Sequence, residues 1–512
     1  MTSSPDIGAC AYIGGRWAQT PAARTFRTAL PHDTRQSGRE FGCATPADAE
    51  AAVARATAAA APWAAVPALQ RAEPLRKAAA LLLERLDELT RLLALEAGKP
   101  LQEARGEVSA AAGFLHAYAG WPAWGGQGAV KRNGALRIVQ EKFPRGVAAI
   151  ITPWNYPLSN PCQKIGAALI GGNPVIWRPS VSTPAVSLAL IEIMHQAGFP
   201  DGVFNALIED GDAVSRALVA SEAVAAVSFT GSTRVGLQVA AAAAGRGAAV
   251  QCEMGGKNAA VVMPDADLDL AAERIAFGAF GFAGQKCTAV SRVLVHRHIA
   301  DAFLERLLDI VRDLRPGLPH QEESCLAPLI SARQRDLLVD AIAQARERGA
   351  RLIEGGAPIE QAPYAHGNYL SPALIQVHDL DDPLWTDEYF GPVLALRVCD
   401  DLDQAIAEVN ATRYGLGAAL FSHDARAIGR FTDQVQAGVV KINDVPPGCT
   451  RTSPPAAGKP PAWAPTNYPK TASISFCTRN PSTWPDAVPP RSVLKENTPW
   501  HTIRSKSGKR CP

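Results

Sequence analysis

The chain has 512 residues, 47% of them apolar and 20% charged, with a formal net charge of +2. That length exceeds one ordinary core and implies two or more domains, while the near-neutral balance excludes a strongly basic or acidic partner surface. The start, Met1-Thr2-Ser3-Ser4-Pro5-Asp6, has no basic and apolar leader, no run of about 18 apolar residues occurs, and the ten cysteines form no Cys-x-x-Cys pair. A soluble, cytoplasmic protein with reduced thiols, no metal site and no disulfide framework is expected.

In chain order, Tyr12-Ile13-Gly14-Gly15-Arg16-Trp17 reads as a short hairpin around a Gly-Gly turn. Thr45 is an N-cap followed by Pro46 at the first helical position. Over residues 71–97 the leucines Leu75, Leu82, Leu86, Leu89 and Leu93 keep a helical period, which Gly98 and Pro100 stop. Asn133-Gly134 marks a β-hairpin before Phe143. Then apolar strands at 147–151, 174–179 and 225–229 alternate with helical patterns at 160–170 and 184–197 and an Ala-rich run after Gly236. Strands alternating with helices predict a parallel α/β sheet with ligand contacts at the strand C-termini. Asp265-Ala266-Asp267-Leu268-Asp269 caps a further helix, and a second α/β region runs to about Asn443.

Two groups carry chemistry together. Cys287 ends the glycine-flexed stretch Gly281-Phe282-Ala283-Gly284-Gln285-Lys286, and Glu253 closes an extended run about thirty residues earlier. A thiol and a carboxylate are what aldehyde oxidation through a thioester requires, one as nucleophile and one as base for water. Either alone reads as a buried small hydrophobe or a solvated acid. Gly231 to Gly236, after a strand and before a helix, departs from the Gly-x-Gly-x-x-Gly spacing but offers the same close backbone approach to a pyrophosphate.

Glu253-Met254-Gly255-Gly256-Lys257-Asn258, Gly284-Gln285-Lys286-Cys287-Thr288 and Thr152-Pro153-Trp154-Asn155-Tyr156-Pro157 resemble signatures of the aldehyde dehydrogenase superfamily. The resemblance implies an α/β fold. Its parts are a parallel-sheet nucleotide-binding domain (1–128 and 145–253), an oligomerisation hairpin (129–144) and a second α/β catalytic domain (254–444). It also implies that Cys287 is the nucleophile, Glu253 the general base, Asn155 an oxyanion donor and Lys164 a lysine near the site, otherwise a solvated helix charge. Thr152, Trp154, Gly231, Ser232 and Gly236 fall on the cofactor, and Glu388 and Phe390 of Glu388-Tyr389-Phe390-Gly391-Pro392 on the nicotinamide ribose and ring.

The family's Lys-Pro-Ser-Glu stands here as Arg178-Pro179-Ser180-Val181. The lost carboxylate removes a repulsion against a 2'-phosphate and Arg178 is a candidate partner for it, so the expected cofactor is NAD or NADP. Tyr156, Trp121 and Phe114 are candidate tunnel aromatics, or core. Partners are a small aldehyde and further copies of the chain, as a dimer or tetramer. Two other readings stay open: an acylating relative, which would lack Glu253, and a catalytically impaired scaffold.

The scaffold reading comes from the tail. From Cys449 the chain is crowded with prolines, holds only Asp486 and Glu496 as acids, and shows no helical or strand period, a composition read as disordered over 445–512. The family has a Pro-x-Gly-Gly-x-Lys-x-Ser-Gly segment here and a final strand that pairs with a neighbouring subunit. Codon degeneracy lets residues 454–465, read one base earlier, encode Pro-Ser-Gly-Gly-Trp-Lys-Ala-Ser-Gly-Leu-Gly-Pro. Residues 449–512 are therefore read as the out-of-frame product of a one-base change near Gly448.

Overall fold

The computed structural model describes residues 10–18, 24–124, 130–133, 136–139, 142–319, 321, 325–447 and 477–478. The tail from Cys449 thus lies outside the described residues except for Cys477 and Thr478. The Gly14-Gly15 turn folds β1 (Ala11–Ile13) onto β2 (Arg16–Ala18), and β3 (Thr25–Leu30) pairs antiparallel with β4 (Asp33–Gly42). Thr45 and Asp48 form a capping box on α1 (Pro46–Ala65). The leucine-periodic stretch is two helices, α2 (Ala68–Glu84) and α3 (Leu86–Ala97), parted at Arg85 where φ −99° and ψ 19° leave the helical well. Period alone cannot reveal this break, because the leucines stay in phase across it. Gly98, at φ +70°, is the left-handed cap that ends α3, and Lys99 then leads into α4 (Leu101–Trp124).

The chain divides into two compact units, residues 1–127 with 143–478, and residues 128–142 with 479–512. The described part of the second contains one hairpin, β5 (Val130–Asn133) and β6 (Leu136–Val139), in register from Asn133 opposite Leu136.

In the first unit, β7 (Phe143–Pro144), β8 (Val147–Ile151), α5 (Ser159–Ile170), β9 (Val175–Arg178), α6 (Pro184–Ala197), β10 (Phe204–Leu207), α7 (Ala213–Ala220), β11 (Val224–Thr230), α8 (Thr233–Gly245) and β12 (Ala249–Glu253) follow. They build a seven-stranded sheet in the order β12-β11-β8-β9-β10-β1-β2, parallel except for β1 and β2. Alternation along β8 divides the core: Ala148 and Ile150 join the cluster under α2, α4, α5 and α6, while Val147, Ala149 and Ile151 join the one with α1, α7 and α8 on the opposite face. The strand order reverses at β8, which pairs with β9 on one side and β11 on the other, the switch point above whose strand C-termini α/β sheets bind ligands.

A second sheet begins immediately after Glu253. It comprises β13 (Asn258–Val262), α9 (Leu268–Phe280), β14 (Val290–His296), α10 (Ala300–Asp313), α11 (Ala332–Glu347), β15 (Arg351–Glu354), β16 (Ala373–Gln376), α12 (Pro383–Thr386), β17 (Val393–Cys399), α13 (Leu402–Asn410), β18 (Gly417–Phe421), α14 (Ala425–Gln434) and β19 (Val439–Ile442). Its order is β15-β16-β17-β14-β13-β18-β19, with β15 alone antiparallel. The half-buried β19 ends the sheet among the described residues, and β20 (Cys477–Thr478) pairs with β7. The expected pair of α/β sheets and a separate ribbon is therefore the fold observed.

Candidate active site

The loop that leads to Cys287 starts where Gly281 ends α9. Phe282 and Ala283 both sit at φ +50° and Gly284 at +67°, conformations that cost a non-glycine residue of the order of 1 kcal/mol or more. At Gly284 a Cβ would come within 2.3 Å of the Gly391 carbonyl. The strained turn is held by Gln285, fully buried, whose Nε2 donates to the carbonyls of Phe282 (3.2 Å) and Pro328 (3.1 Å) and whose Oε1 accepts from Ile330 N–H at 2.9 Å. Cys287 is half-buried, and its carbonyl accepts from Asn258 Nδ2 at 2.8 Å.

Asn155 lies in the turn between β8 and α5. Its Nδ2 donates to the Gln285 carbonyl at 3.0 Å, which brings it to the Cys287 loop across 130 residues of sequence. An amide carries two N–H donors, so one remains for a ligand oxygen. The Asn155 carbonyl accepts from Lys99 Nζ at 2.7 Å, and Glu107 receives the N–H groups of Leu158 (2.9 Å) and Ser159 (3.2 Å) at the start of α5.

Glu253 ends β12 opposite Thr230. Burial raises its carboxyl pKa, against the opposing pull of the Lys164 ammonium and of Gln251. Lys164 is a correction to the solvated-charge alternative: it is 6% exposed on the inner face of α5, and burial pushes its pKa down. A chain of hydrogen bonds links the two residues. Lys164 Nζ donates to Ser228 Oγ (2.8 Å), Ser228 Oγ to Gln251 Oε1 (2.9 Å), and Gln251 Nε2 to Glu253 Oε1 (3.1 Å). Strand register makes this possible, since Ser228 stands opposite Gln251 and alternation puts Gln251 and Glu253 on one face.

The remaining assigned residues frame the crevice. α8 presents its N-terminus there, with Ser232 as N-cap and the hydroxyls of Thr230 and Thr233 buried without a hydrogen-bond partner among the described residues. Oriented N–H groups and orphaned hydroxyls fit a pyrophosphate. Side chains cannot be added at two positions here: a Cβ on Gly231 would meet the Phe229 ring at 2.6 Å, and one on Gly236 the Met254 sulfur at 2.6 Å. Thr152 Oγ1 accepts from Trp177 Nε1 at 2.9 Å, and Ser180 Oγ from Ser182 N–H at 3.2 Å, so both hydroxyls are engaged in holding the strand ends.

Trp154 packs edge-on against Phe282 and Phe390, with centroids 6.1 and 5.9 Å apart. Phe390 is held at φ +56° with its carbonyl and that of Tyr389 bound by Gln334. Glu388 accepts from Gly256 N–H at 3.1 Å, and burial raises its pKa to about 7. Val181 is half-buried, whereas the Arg178 guanidinium is turned onto the carbonyls of Pro179, Glu209 and Gly211. Of the candidate tunnel aromatics, Tyr156 seats the Lys99 ammonium 3.9 Å from its ring centre, Trp121 packs on the first core, and Phe114 is half-buried on α4.

Six participants escaped the sequence reading: Lys99, Glu103, Glu107, Ser228, Gln251 and Lys286. Their signals were the i, i+4 acids of α4, a lysine inside a helix-stopping Gly-Lys-Pro, and the alternation of Gln251 with Glu253. Among the described residues no group of His, Cys, Asp or Glu is arranged to hold a metal, and Cys43, Cys162, Cys252 and Cys399 are free thiols. No helix among the described residues is long and apolar enough to cross a membrane.

Comparison with known proteins fits this arrangement. Residues 17–458 match the aldehyde dehydrogenase family. The chain is 37% identical over 438 residues to alpha-ketoglutarate semialdehyde dehydrogenase of Haloferax volcanii, covering 85% of this chain and 90% of that one. It is 37% identical over 409 residues to 2,5-dioxopentanoate dehydrogenase of Saccharolobus solfataricus, covering 78% and 83%. The crystal structure of NAD-dependent aldehyde dehydrogenase from Sinorhizobium meliloti superposes with a TM-score of 0.82 at 33% identity, over 88% of this chain and 90% of that one. The chain belongs to the aldehyde dehydrogenase family, a class of NAD(P)-dependent enzymes that oxidise aldehydes.

Proposed function

We propose that this chain oxidises a small, carboxylate-bearing semialdehyde to the dicarboxylic acid, with NAD as the working cofactor. The observation that carries the site reading is the Asn155 amide bonded to the Gln285 carbonyl, two residues before Cys287, with a half-buried Glu253 ending β12 of the first sheet.

In this mechanism the Cys287 thiolate adds to the aldehyde carbon, forming a carbon–sulfur bond and placing the electron pair of the carbonyl on oxygen. The remaining Asn155 N–H and the Cys287 backbone N–H receive that oxyanion. Collapse of that adduct to the thioester expels hydride, for which a bound nicotinamide would supply the acceptor. Ser232, Thr230 and Thr233 at the head of α8 would hold the pyrophosphate, Glu388 the nicotinamide ribose, and Phe390 with Trp154 the ring edge. Glu253 then takes a proton from the water that opens the thioester, releasing the acid and the Cys287 thiolate.

The substrate class is supported by the names of the two relatives above, which denote one compound, an oxo acid with a terminal aldehyde. It is also supported by the open face of α5 and the turn before it, where Tyr156, Asn160 and Gln163 recur at helical spacing and are half-buried. Amides suit a polar, oxygen-rich chain better than an alkyl one. A panel of aldehydes with both cofactors tests the reading. The carboxylated C5 semialdehyde with NAD should give the highest kcat/KM, and an alkyl or aryl aldehyde ahead by tenfold would overturn it.

The roles are tested separately. Cys287→Ala should abolish turnover, while Glu253→Gln should keep a single-turnover burst of reduced cofactor and slow the steady state. Full steady-state turnover in the latter variant would remove Glu253 from the base role. A second reading, that the chain as written is catalytically impaired, is favoured by the family match ending at residue 458.

A further inference from the structure

α4 carries Glu103 and Glu107 one turn apart, so both carboxylates leave the helix on one face. Each meets a buried lysine from a different part of the site. Lys99 pairs with Glu107 Oε2, and both side chains are fully buried. Lys286 Nζ lies 2.7 Å from Glu103 Oε2, with 2% and 21% of the respective side chains exposed. The four charges form one neutral cluster, since the Lys99 ammonium feels both Glu103 and Lys286 besides its own partner. The cluster packs against the start of the Cys287 loop: a Cβ on Gly281 would stand 2.8 Å from Lys286 Nζ and 3.3 Å from Glu103 Oε1.

The two pairs grip the two halves of the chemistry. Lys99 donates to the Asn155 carbonyl at 2.7 Å, while its partner Glu107 takes the Leu158 and Ser159 N–H groups just beyond. The backbone that follows the Asn155 side chain is thus pinned at the Asn155 carbonyl and again at Leu158 and Ser159. The other lysine is the residue immediately before Cys287, and its ammonium also lies 4.8 Å from the Phe277 ring centre on α9. Between the two halves runs the Asn155 Nδ2–Gln285 carbonyl bond.

Buried ion pairs add little net stability compared with apolar replacements of the same shape, because two charges must be desolvated to make them. Their geometry, in contrast, is directional and stiff. We propose that Glu103 and Glu107, through Lys286 and Lys99, are positioning residues for aldehyde oxidation: α4 acts as a rigid spacer that sets the distance between the Asn155 amide and the Cys287 sulfur. None of the four touches a reacting atom. The proposal rests on the roles given above to Cys287 and Asn155.

The experiment compares Glu103→Gln, Lys286→Met and the charge-exchanged pair Glu103→Lys with Lys286→Glu against the unmodified chain. Three quantities are read: kcat and KM for the aldehyde, the pH profile of Cys287 carbamidomethylation by iodoacetamide measured on its peptide, and the unfolding midpoint. A misplaced oxyanion donor costs about 10- to 100-fold. The single variants should therefore lose about that factor in kcat, with KM changed less than about threefold, and should shift the alkylation midpoint. The exchanged pair should recover part of the loss, as coupled residues do in a double-mutant cycle.

Unchanged kcat and unchanged alkylation in both single variants would overturn the proposal. So would losses that track only the folded fraction, with the folded remainder alkylated as in the unmodified chain. If the unmodified chain turns over slowly, the alkylation profile decides alone, a shift supporting the spacer and no shift rejecting it. Full turnover by Cys287→Ala would instead reject the underlying site reading, an outcome independent of α4.

Discussion

Arg178 Nε lies 3.8 Å from Glu209 Oε2, and neither atom has a hydrogen-bond partner among the described residues. The rest of the guanidinium donates to the carbonyls of Pro179 (3.1 Å), Glu209 (3.3 Å) and Gly211 (2.6 Å), and the charges of Glu209, Asp210 and Asp212 all act on it. The arginine that would otherwise receive a 2'-phosphate is therefore committed to an acidic loop. Like charges repel a phosphate from that loop, so the expected preference is for NAD despite the loss of a carboxylate at Val181. Glu209→Ala should raise the NADP to NAD ratio of kcat/KM by about tenfold, equal to about 1.4 kcal/mol, and Val181→Glu should lower it. Steady-state kinetics with both cofactors checks this, and a native ratio already favouring NADP would refute it.

The hydrogen-bonded chain from Lys164 through Ser228 and Gln251 to Glu253 predicts a pH effect of definite sign. Burial raises the Glu253 pKa, while the Lys164 ammonium and the Gln251 amide both oppose that rise by favouring the ionised carboxylate. Removing either leaves the carboxyl protonated to higher pH. Lys164→Met and Gln251→Ala should move the acid limb of the steady-state rate upward, so that turnover falls at a fixed pH on that limb. The single-turnover burst should be unaffected by loss of the base. An unmoved limb in both variants would show that the chain does not govern Glu253.

Much of the fold was legible because its signals are local in sequence. Thr45 announces its helix through a hydroxyl that accepts the Asp48 N–H, and Gly98 ends another through a φ that favours glycine. The strands at β8, β9 and β11 showed as apolar runs because both faces of a central parallel strand are covered. What stayed hidden depends on partners far along the chain. Nothing near Glu107 says that it will face Lys99 and the start of α5, and Lys286 beside Cys287 could as well have been a solvated charge. Arg85 parts two helices without disturbing the leucine phase. The orientation of Arg178 needed the loop at 209–211, about thirty residues away.

Glu388 supplies another expectation. Burial raises its pKa to about 7, opposed by the Gly256 N–H and by the charge of Lys257. An ionised carboxylate accepts from two ribose hydroxyls, whereas the protonated acid spends one oxygen as a donor. Cofactor KM should therefore fall as pH rises through about 7, and Glu388→Gln should flatten that dependence. The stability sign runs opposite: a carboxyl pKa raised above the unfolded value makes folding less favourable as pH climbs from the unfolded pKa towards 7. Glu388→Gln should remove that slope in the unfolding midpoint, and an identical slope in the variant would show that Glu388 does not titrate there.

The last expectation concerns residues 449–512, proposed to be out of frame. β19 is the outermost described strand of the second sheet, and its residues are half-buried. A strand in this position presents a row of N–H and C=O groups that another chain can pair with. The resembling family continues past this point with a glycine-rich wall and a strand that pairs with a neighbouring subunit, whereas the match to the family here ends at residue 458. A one-base change near Gly448 would leave Cys287, Glu253 and Asn155 intact and remove the segment that completes the site and the assembly. Sequencing the gene across Gly448 is the direct check: independent confirmation of the frame that encodes Cys449 onward would refute the frameshift. A frame-restored chain should elute from size-exclusion chromatography as a defined dimer or tetramer and turn over aldehyde faster than the chain as written, which should aggregate more readily. Equal elution and equal rate would show that the altered segment is dispensable to both assembly and catalysis.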